Sequence, residues 1–309
     1  MPVIEENKFV TIDNEKIVEF SANYTQNKVK HYTDASPVDI SMMTKEDKLN
    51  FIIIFNSMNF CYWSDPGNAK WTVEYQDKSY DGAFGMITAL GKAIENNIPI
   101  LSPKYLSTIT KDDLEEILRG NIQIPLFEER LRNLQQLGNV LIEKYEGKVS
   151  NLIEKADKDA IKLVDLFTTE FSMFNDYSMY KENKVLFYKL AQLLTYDIHH
   201  IFNGEGYGEL KNINQLTAFA DYKIPQSLRK AGILVYNKEL EDKVDNKILI
   251  PQHSREEIEI RANAIWAIEL IKSNLKGITS MEIDSYLWAQ GQNKSSSDKP
   301  YHLTRTRFY

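Results

Sequence analysis

Cysteine is nearly absent from the chain, since its 309 residues include only Cys61. A single cysteine cannot form an internal disulfide, which excludes the disulfide-stapled domains common among secreted proteins. Residues 1–9 are acidic and lack the basic and then apolar pattern of a signal peptide. We therefore predict a cytoplasmic protein.

Long apolar runs and an excess of positive charge are missing as well. The longest apolar candidate, residues 51–55, is much shorter than the roughly 20 residues that a membrane-spanning helix needs. The formal net charge is −7 and the pI is about 5.4. A protein that grips duplex nucleic acid neutralises many phosphates with basic side chains. The sequence therefore predicts neither a membrane nor a duplex nucleic acid as partner, although one phosphate in a small pocket is compatible with it.

The common metal, nucleophile and phosphate-loop motifs are also absent from the sequence. His199 and His200 are adjacent, so on a helix they point to different faces, and no HExxH or CxxC motif occurs. We therefore predict no metal site. No GxSxG motif is present, and the glycine-rich segment 204–208 is not followed by Gly-Lys-Ser/Thr. This segment is interpreted as a connection between helices.

The sequence does contain the composition of a globular protein and strong helical periodicity. Hydrophobic residues make up 43% and charged residues 26%, which predicts a folded core. Thr110 and Asp113 have the spacing of a capping box at a helix start. Apolar residues recur at spacings of three and four in several segments, and these spacings predict helices. The predicted helices span residues 82–95, 126–145, 159–171, 185–202, 256–275 and 280–288.

Strand signals are few. Residues 71–75 alternate between polar and apolar positions, and Asp77 with Lys78 can form a hairpin turn. Residues 51–55 fit either a buried strand or a buried helix. The predicted fold class is mainly α with a small β element near the N-terminus, in one domain over 1–309 whose first 50 residues are partly peripheral.

Asp221 stands in an aromatic setting between Phe219 and Tyr222, shortly before Pro225. One interpretation is a helix cap, because proline is well tolerated in a first helical turn. The other is a binding site, in which a ring stacks on a flat base and the carboxylate accepts hydrogen bonds from the base edge. The residues alone leave both interpretations open.

Asp284 is a second carboxylate among aromatic residues. It lies four residues before Trp288, so the two share one face of a helix. Desolvation there would raise its pKa, whereas the alternative is an exposed aspartate stabilised by the helix dipole. Two such carboxylates fit glycosidic cleavage, in which one stabilises or attacks an oxocarbenium-like sugar and another group eases the base away.

Eight segments match one known family in order and rough spacing across most of residues 50–309. They are residues 56–64, 98–102, 125–130, 187–192, 219–226, 257–261, 286–288 and 300–305. The chain therefore resembles the queuosine-salvage family, the queuosine 5′-monophosphate N-glycosidases. This resemblance implies a helical fold similar to helix-hairpin-helix DNA glycosylases and hydrolysis of queuosine 5′-monophosphate to queuine and ribose 5-phosphate. It implies no cofactor, and the freed queuine can return to tRNA through a separate transglycosylase.

The resemblance also assigns roles to individual residues. Phe219 would stack on the 7-deazaguanine ring, and Asp221, counted with Asp284 as a catalytic residue, would bind its edge. Asp284 would lie against the ribose as nucleophile or as stabiliser of the developing cation, and Trp288 would form a wall of the pocket. Ser285 is included among the substrate-binding residues.

The family resemblance applies less directly to three further positions. His31 matches a base-contacting histidine, although its flanking spacing differs here. Lys223 is a phosphate-binding candidate on charge alone, and an ion pair with a nearby acid is the alternative. Animal members of the family carry an acidic residue directly after the Trp288 position, where this chain has Ala289. The prediction therefore places the chemistry on Asp284, which is retained.

Two competing functions remain open at this stage. One is a glycosylase acting on a modified base in nucleic acid, which the acidic pI opposes. The other is a non-catalytic protein that binds queuine or another 7-deazaguanine in the same pocket.

Overall fold

The computed structural model describes residues 2–25, 31–292, 295 and 298–309. These residues form fourteen α-helices and three two-stranded antiparallel sheets. The helices are α1 (Pro2–Glu5), α2 (Asn14–Asn23), α3 (Lys45–Ser57), α4 (Gly82–Glu95), α5 (Pro103–Thr108), α6 (Lys111–Ile117), α7 (Phe127–Tyr145), α8 (Val149–Lys155), α9 (Ala160–Glu170), α10 (Lys189–Ile201), α11 (Lys223–Lys230), α12 (Lys238–Asp245), α13 (Arg255–Asn274) and α14 (Ser280–Gln290). The strands are β1 (Val10–Ile12), β2 (Thr72–Tyr75), β3 (Lys78–Asp81), β4 (Tyr177–Tyr180), β5 (Asn183–Leu186) and β6 (Leu234–Tyr236). The mainly helical prediction is confirmed.

The ambiguous apolar run at 51–55 is helical and lies in the centre of α3. Every residue from Leu49 to Ser57 is buried, so this helix is covered on all sides by the rest of the fold. A helix buried all round carries no amphipathic periodicity, which is why its sequence fits a strand equally well. Thr44 caps its first turn by accepting a hydrogen bond from Asp47 N.

Caps and turns follow the local sequence at the other predicted elements. Thr110 and Asp113 form the reciprocal capping box at the start of α6. Strands β2 and β3 form the predicted hairpin, but its two-residue turn consists of Gln76 and Asp77, at φ 47° and 59°, because Lys78 already pairs with Tyr75 in β3. Two consecutive positive φ values are typical of a turn whose twist matches paired strands.

The predicted helix over 185–202 is wrong at its N-terminal end. Residues Asn183–Leu186 form strand β5, paired with β4, and α10 begins only at Lys189. Tyr188 has φ 49° in the left-handed region, which ends the strand geometry and turns the chain into the helix. The pairing of β1 with β6 was also absent from the sequence prediction, because its strands are more than 200 residues apart.

Two clusters of buried apolar side chains fill the interior. The first is built mainly by α3, α4 and α7 to α10, and the second is built around α13. The segment 216–224 and helix α14 contribute to both clusters: Phe219 and Met281 belong to the first, and Ala220 and Ile283 to the second. The predicted site residues therefore lie where the two clusters meet. Among the described residues, no helix combines the length and apolarity required to cross a bilayer.

Candidate active site

One cavity brings together all seven side chains that the sequence singled out. It opens between α4, α10, α14, the segment 219–223 and the loop 59–63. The predicted residues in its wall are His31, Phe219, Asp221, Lys223, Asp284, Ser285 and Trp288. Ala289 is not among the described residues that line it.

Asp284 is buried in the wall of the cavity, at 5% exposure, on the second turn of α14. Its Oδ2 accepts a hydrogen bond of 2.8 Å from the backbone N–H of Phe219. Burial, together with the nearby negative charge of Asp221, raises the pKa of the Asp284 carboxyl well above its ordinary value. The alternative of an exposed aspartate at a helix start is therefore wrong.

Asp221 combines both interpretations that the sequence left open. Its Oδ1 accepts hydrogen bonds from Lys223 N at 2.6 Å and Ile224 N at 3.0 Å, so it caps the start of α11. The same residue lines the cavity. Within the described part of the chain, no hydrogen bond reaches its Oδ2. One oxygen thus stabilises the helix and the other is available to a ligand.

The backbone of the segment that carries Phe219 and Asp221 is hydrogen-bonded to a buried arginine, Arg261. Arg261, at 1% exposure, donates from Nε to Ala220 O at 2.9 Å and pairs with Asp176 through both Nη atoms. Arg261 also contacts Glu257, but Asp176 is the closer partner. Because Ala220 separates the two cavity residues, this guanidinium fixes the backbone between them.

His31 belongs to a buried polar network beside the cavity. Its Nε2 lies 3.1 Å from Asp197 Oδ1, and its Nδ1 lies 2.7 Å from Thr33 Oγ1. Asp197 is fully buried and also accepts from Tyr32 Oη at 2.5 Å and from Asn56 Nδ2 at 2.7 Å. The Nδ1 atom of His31 is thus hydrogen-bonded inside the protein, whereas Nε2 faces a buried Asp197 oxygen that has no hydrogen-bond partner among the described residues.

Lys189 is a cavity residue that the sequence analysis did not single out. It lies at the first position of α10, at 5% exposure, and its side chain makes no hydrogen bond with the described residues. Burial lowers the pKa of its ammonium group, while the carboxylates of Asp221 and Asp284 oppose that effect. Only the matching segment 187–192 marked this lysine in the sequence, and its helical context gave no sign of the cavity.

Aromatic side chains surround the carboxylates. The Phe219 ring lies 5.9 Å from that of Tyr196, and the Trp288 ring lies 6.2 Å from Tyr32 and 6.1 Å from Phe84. Lys223 places its Nζ 4.9 Å from the centre of the Tyr301 ring. The cavity thus offers flat apolar surfaces next to two carboxylates and a cation. Within the described residues, no group of three or more His, Cys, Asp and Glu side chains is placed to hold a metal ion.

Such a site can act on a flat heterocycle linked to a sugar. Aromatic faces accept the ring, a carboxylate with a free oxygen accepts its N–H groups, and a second, desolvated carboxylate can face the carbon that becomes cationic. The charges of Lys189, Asp221 and Asp284 line the same cavity, so its electrostatic field is in place before a substrate binds.

Comparisons with known proteins agree with this chemistry. The sequence model of the family described as queuosine salvage protein matches residues 40–309. A protein of Sphaerobacter thermophilus named queuosine 5′-phosphate N-glycosylase/hydrolase is 35% identical over an alignment that covers 99% of this chain and 95% of that protein. Proteins with the same name from Nematostella vectensis and Bos taurus are 35% and 34% identical, and these alignments cover 84% and 86% of this chain and 82% and 83% of the relatives.

Proposed function

Because the chain belongs to the queuosine salvage protein family, we propose that it hydrolyses the N-glycosidic bond of queuosine 5′-phosphate and releases queuine and ribose 5-phosphate. The observation that carries this proposal is the buried Asp284 carboxylate, held beside Phe219 and Asp221 in one aromatic cavity. The product queuine would then be available for reinsertion into tRNA. We further propose a free nucleotide as the substrate, in keeping with the net charge of −7.

The base would bind at the end of the cavity that Phe219 and Asp221 form. The Phe219 ring stacks on the 7-deazaguanine, and Asp221 Oδ2 accepts hydrogen bonds from the N–H groups on its edge. His31 contacts the base through its ring surface, and Trp288 and Ser285 close the wall on the side of α14. Since the capping bonds of Asp221 use Oδ1 alone, base binding does not require the α11 cap to open.

Asp284 would act at the anomeric carbon of the ribose. As the bond from this carbon to the base nitrogen breaks, its electron pair leaves with the base, which gains a proton. The ionised Asp284 stabilises the oxocarbenium-like sugar or bonds to it, and water finally supplies the hydroxyl of ribose 5-phosphate and the proton. Lys189, close enough to lower the pKa of Asp284, favours the ionised form that this role needs.

Two finer expectations stay predictions. One is a similarity of the helical fold to helix-hairpin-helix DNA glycosylases. The other is the cytoplasmic location.

The decisive experiment incubates the purified protein with queuosine 5′-phosphate and follows free queuine by chromatography. We expect release by the wild type and a loss of about a thousandfold in Asp284→Asn, which keeps an acceptor for Phe219 N but cannot ionise. Asp112→Asn, an exposed aspartate on α6, is the matched control. Queuine that binds to the wild type without any release of ribose 5-phosphate would contradict the enzyme and indicate a base-binding protein.

A further inference from the structure

A second cavity lies between the C-terminal end of α10 and the N-terminal end of α14, next to the proposed active site. Its volume is about 320 Å³, within the size range of pockets that hold small molecules. No described residue lines both cavities. The ring of His200, which lines the second cavity, stacks on the ring of His31, which lines the first, with centres 4.1 Å apart. The two cavities are therefore separate neighbours, and the proposed reaction does not use the second.

Two histidines in the wall of the second cavity each keep one ring nitrogen as a hydrogen-bond acceptor. The Nδ1 atom of His199 lies 2.7 Å from Gly208 O, and because a carbonyl oxygen only accepts, Nδ1 carries the proton and Nε2 of the neutral ring keeps a lone pair. The Nε2 atom of His200 lies 2.8 Å from Asp34 Oδ1, which leaves the lone pair on Nδ1. Burial, together with the nearby His31 ring, lowers the pKa of His200, so its neutral form prevails near pH 7.

A carboxylate oxygen of Glu282 is the third acceptor in this wall. The Oε2 atom of Glu282 accepts the capping hydrogen bonds of α14 from Thr279 N at 2.8 Å and Thr279 Oγ1 at 2.7 Å. Its Oε1 atom accepts no hydrogen bond from the part of the chain that the structure describes. The C-terminal end of α10 adds the negative end of a helix dipole, and no lysine or arginine among the described residues lines the cavity. The electrostatics of this cavity therefore favour a cation.

The remaining surface of the second cavity is largely apolar. Met281, Ile213 and the ring of Tyr196 line it beside the three acceptors. An alkyl chain buries apolar surface against such side chains, and an aromatic ring attracts a cation, whereas an inorganic ion gains little from the aliphatic ones. A metal ion also needs several protein ligands, and within residues 2–25, 31–292, 295 and 298–309 no group of three or more His, Cys, Asp and Glu side chains is placed to supply them. The surface thus favours an organic cation over an inorganic one.

We propose that this second cavity, between α10 and α14, is a binding site for a small alkylammonium compound. An ammonium group carries three N–H donors and no acceptor, which complements the acceptors of Glu282, His199 and His200. The carbon chain of the ligand packs against Met281 and Ile213. The site does not rest on the proposed function, because none of these residues takes part in the proposed reaction.

The test measures binding of 1,4-diaminobutane to the full chain by isothermal titration calorimetry at pH 7 and constant ionic strength. We expect the wild type to bind the diamine, and Glu282→Gln to weaken the binding about tenfold or more, because a charge-assisted hydrogen bond is lost. Glutamine keeps the capping box with Thr279, so this variant is expected to fold. Glu143→Gln, an exposed glutamate on α7, is the matched control and should bind like the wild type.

Three further titrations decide between this site and its alternatives. Butane-1,4-diol, which has the same chain without the charges, should not bind, and equal binding of the diol would overturn an ammonium site. Saturation with queuine should leave the affinity for the diamine unchanged, whereas competition would place the diamine in the first cavity. Displacement of the diamine by Zn²⁺ at stoichiometric concentration would indicate a metal site instead.

The outcome for this site is distinguishable from the outcome for the proposed reaction. A protein that binds the diamine through Glu282 but releases no queuine from queuosine 5′-phosphate would keep the site and lose the proposed function. Absence of diamine binding by the wild type, or an equal Kd in the wild type and Glu282→Gln, would overturn the site and leave the proposed function intact.

Discussion

Asp284 Oδ2 and the backbone N–H of Phe219 are joined by a hydrogen bond of 2.8 Å. The side chain proposed to act on the sugar thereby also fixes the residue proposed to carry the base. Movement of α14 relative to the segment 219–223 would break this bond and expose a buried N–H. The distance between the proposed base platform and the proposed catalytic carboxylate is thus set before a substrate arrives.

The stability of the protein should depend on the ionisation of Asp284. In an unfolded chain an aspartate releases its proton at about pH 4, whereas burial raises the pKa of Asp284 in the folded protein. As the pH rises through this interval the unfolded state loses its proton first, so the folded state loses stability. We expect Asp284→Asn to be more stable than the wild type by about 1 kcal/mol at pH 7, with the difference vanishing below pH 4. Urea unfolding at several pH values measures this, and a difference independent of pH would contradict it.

The pH dependence of the reaction should show the same ionisation. If Asp284 must be charged, kcat/KM rises with pH along a limb whose midpoint lies above the ordinary range of an aspartate, which is about 4. Asp284→Asn should lack this limb in its residual activity. A midpoint at the ordinary aspartate value would show that another group controls the rate.

Lys189 should act as a positioning residue that sets the midpoint pH of the rise in kcat/KM, because it acts on the pKa of Asp284. Its charge lowers the pKa of Asp284, so Lys189→Met is expected to move the acid limb to higher pH and to lower kcat/KM at pH 6 by about tenfold. Lys104→Met, an exposed lysine on α5, is the control for the lost charge. A merely structural role for Lys189 would lower the activity without moving the limb.

The Arg261 network should matter for both stability and activity. Lysine cannot reproduce the fork that binds Asp176 twice and Ala220 O once, so Arg261→Lys is expected to lose about 3 kcal/mol of unfolding free energy. The kcat should fall as well, because the backbone between Phe219 and Asp221 loses its support. Arg132→Lys, whose side chain is 59% exposed, should be neutral in both measurements.

Gly138 should be essential for the contact between α5 and α7. A Cβ at this position would come within 2.4 Å of Ser107 N and 2.5 Å of Pro103 O, both of which are backbone atoms. Gly138→Ala is therefore expected to destabilise the protein by about 2–3 kcal/mol, although alanine favours a helix interior by about 1 kcal/mol. The adjacent exposed Asn139→Ala should instead stabilise it slightly, and thermal unfolding of the pair measures the contrast.

Local signals in the sequence were sufficient for those elements that local chemistry decides. The capping box at Thr110 and the hairpin between β2 and β3 form as predicted, and so do the amphipathic helices, except at the N-terminal end of the helix predicted over 185–202. The pairing of β1 with β6 and the start of α10 at Lys189 depend on distant partners and on one left-handed residue, and no local pattern encodes them. The same holds for Lys189 and Trp63, whose place in the cavity follows from tertiary packing.

The candidate site was predicted more fully than the fold because family resemblance supplied what periodicity could not. All seven named side chains lie in one cavity, although they come from three separate parts of the chain. The roles of these residues nevertheless stay predictions until the variants are measured. Asp221 illustrates why residue patterns alone left two interpretations open, since its two oxygens serve two different purposes.

The pairing of β1 with β6 has a consequence for how the protein is made. Residues Val10–Ile12 find their strand partner only at 234–236, and Glu259 accepts hydrogen bonds from the N–H groups of Lys8, Phe9 and Val10. During translation strand β1 therefore waits for its strand partner until more than three quarters of the 309 residues have been synthesised. The second apolar cluster, to which Phe9 and Val10 belong, can close only in the last part of synthesis.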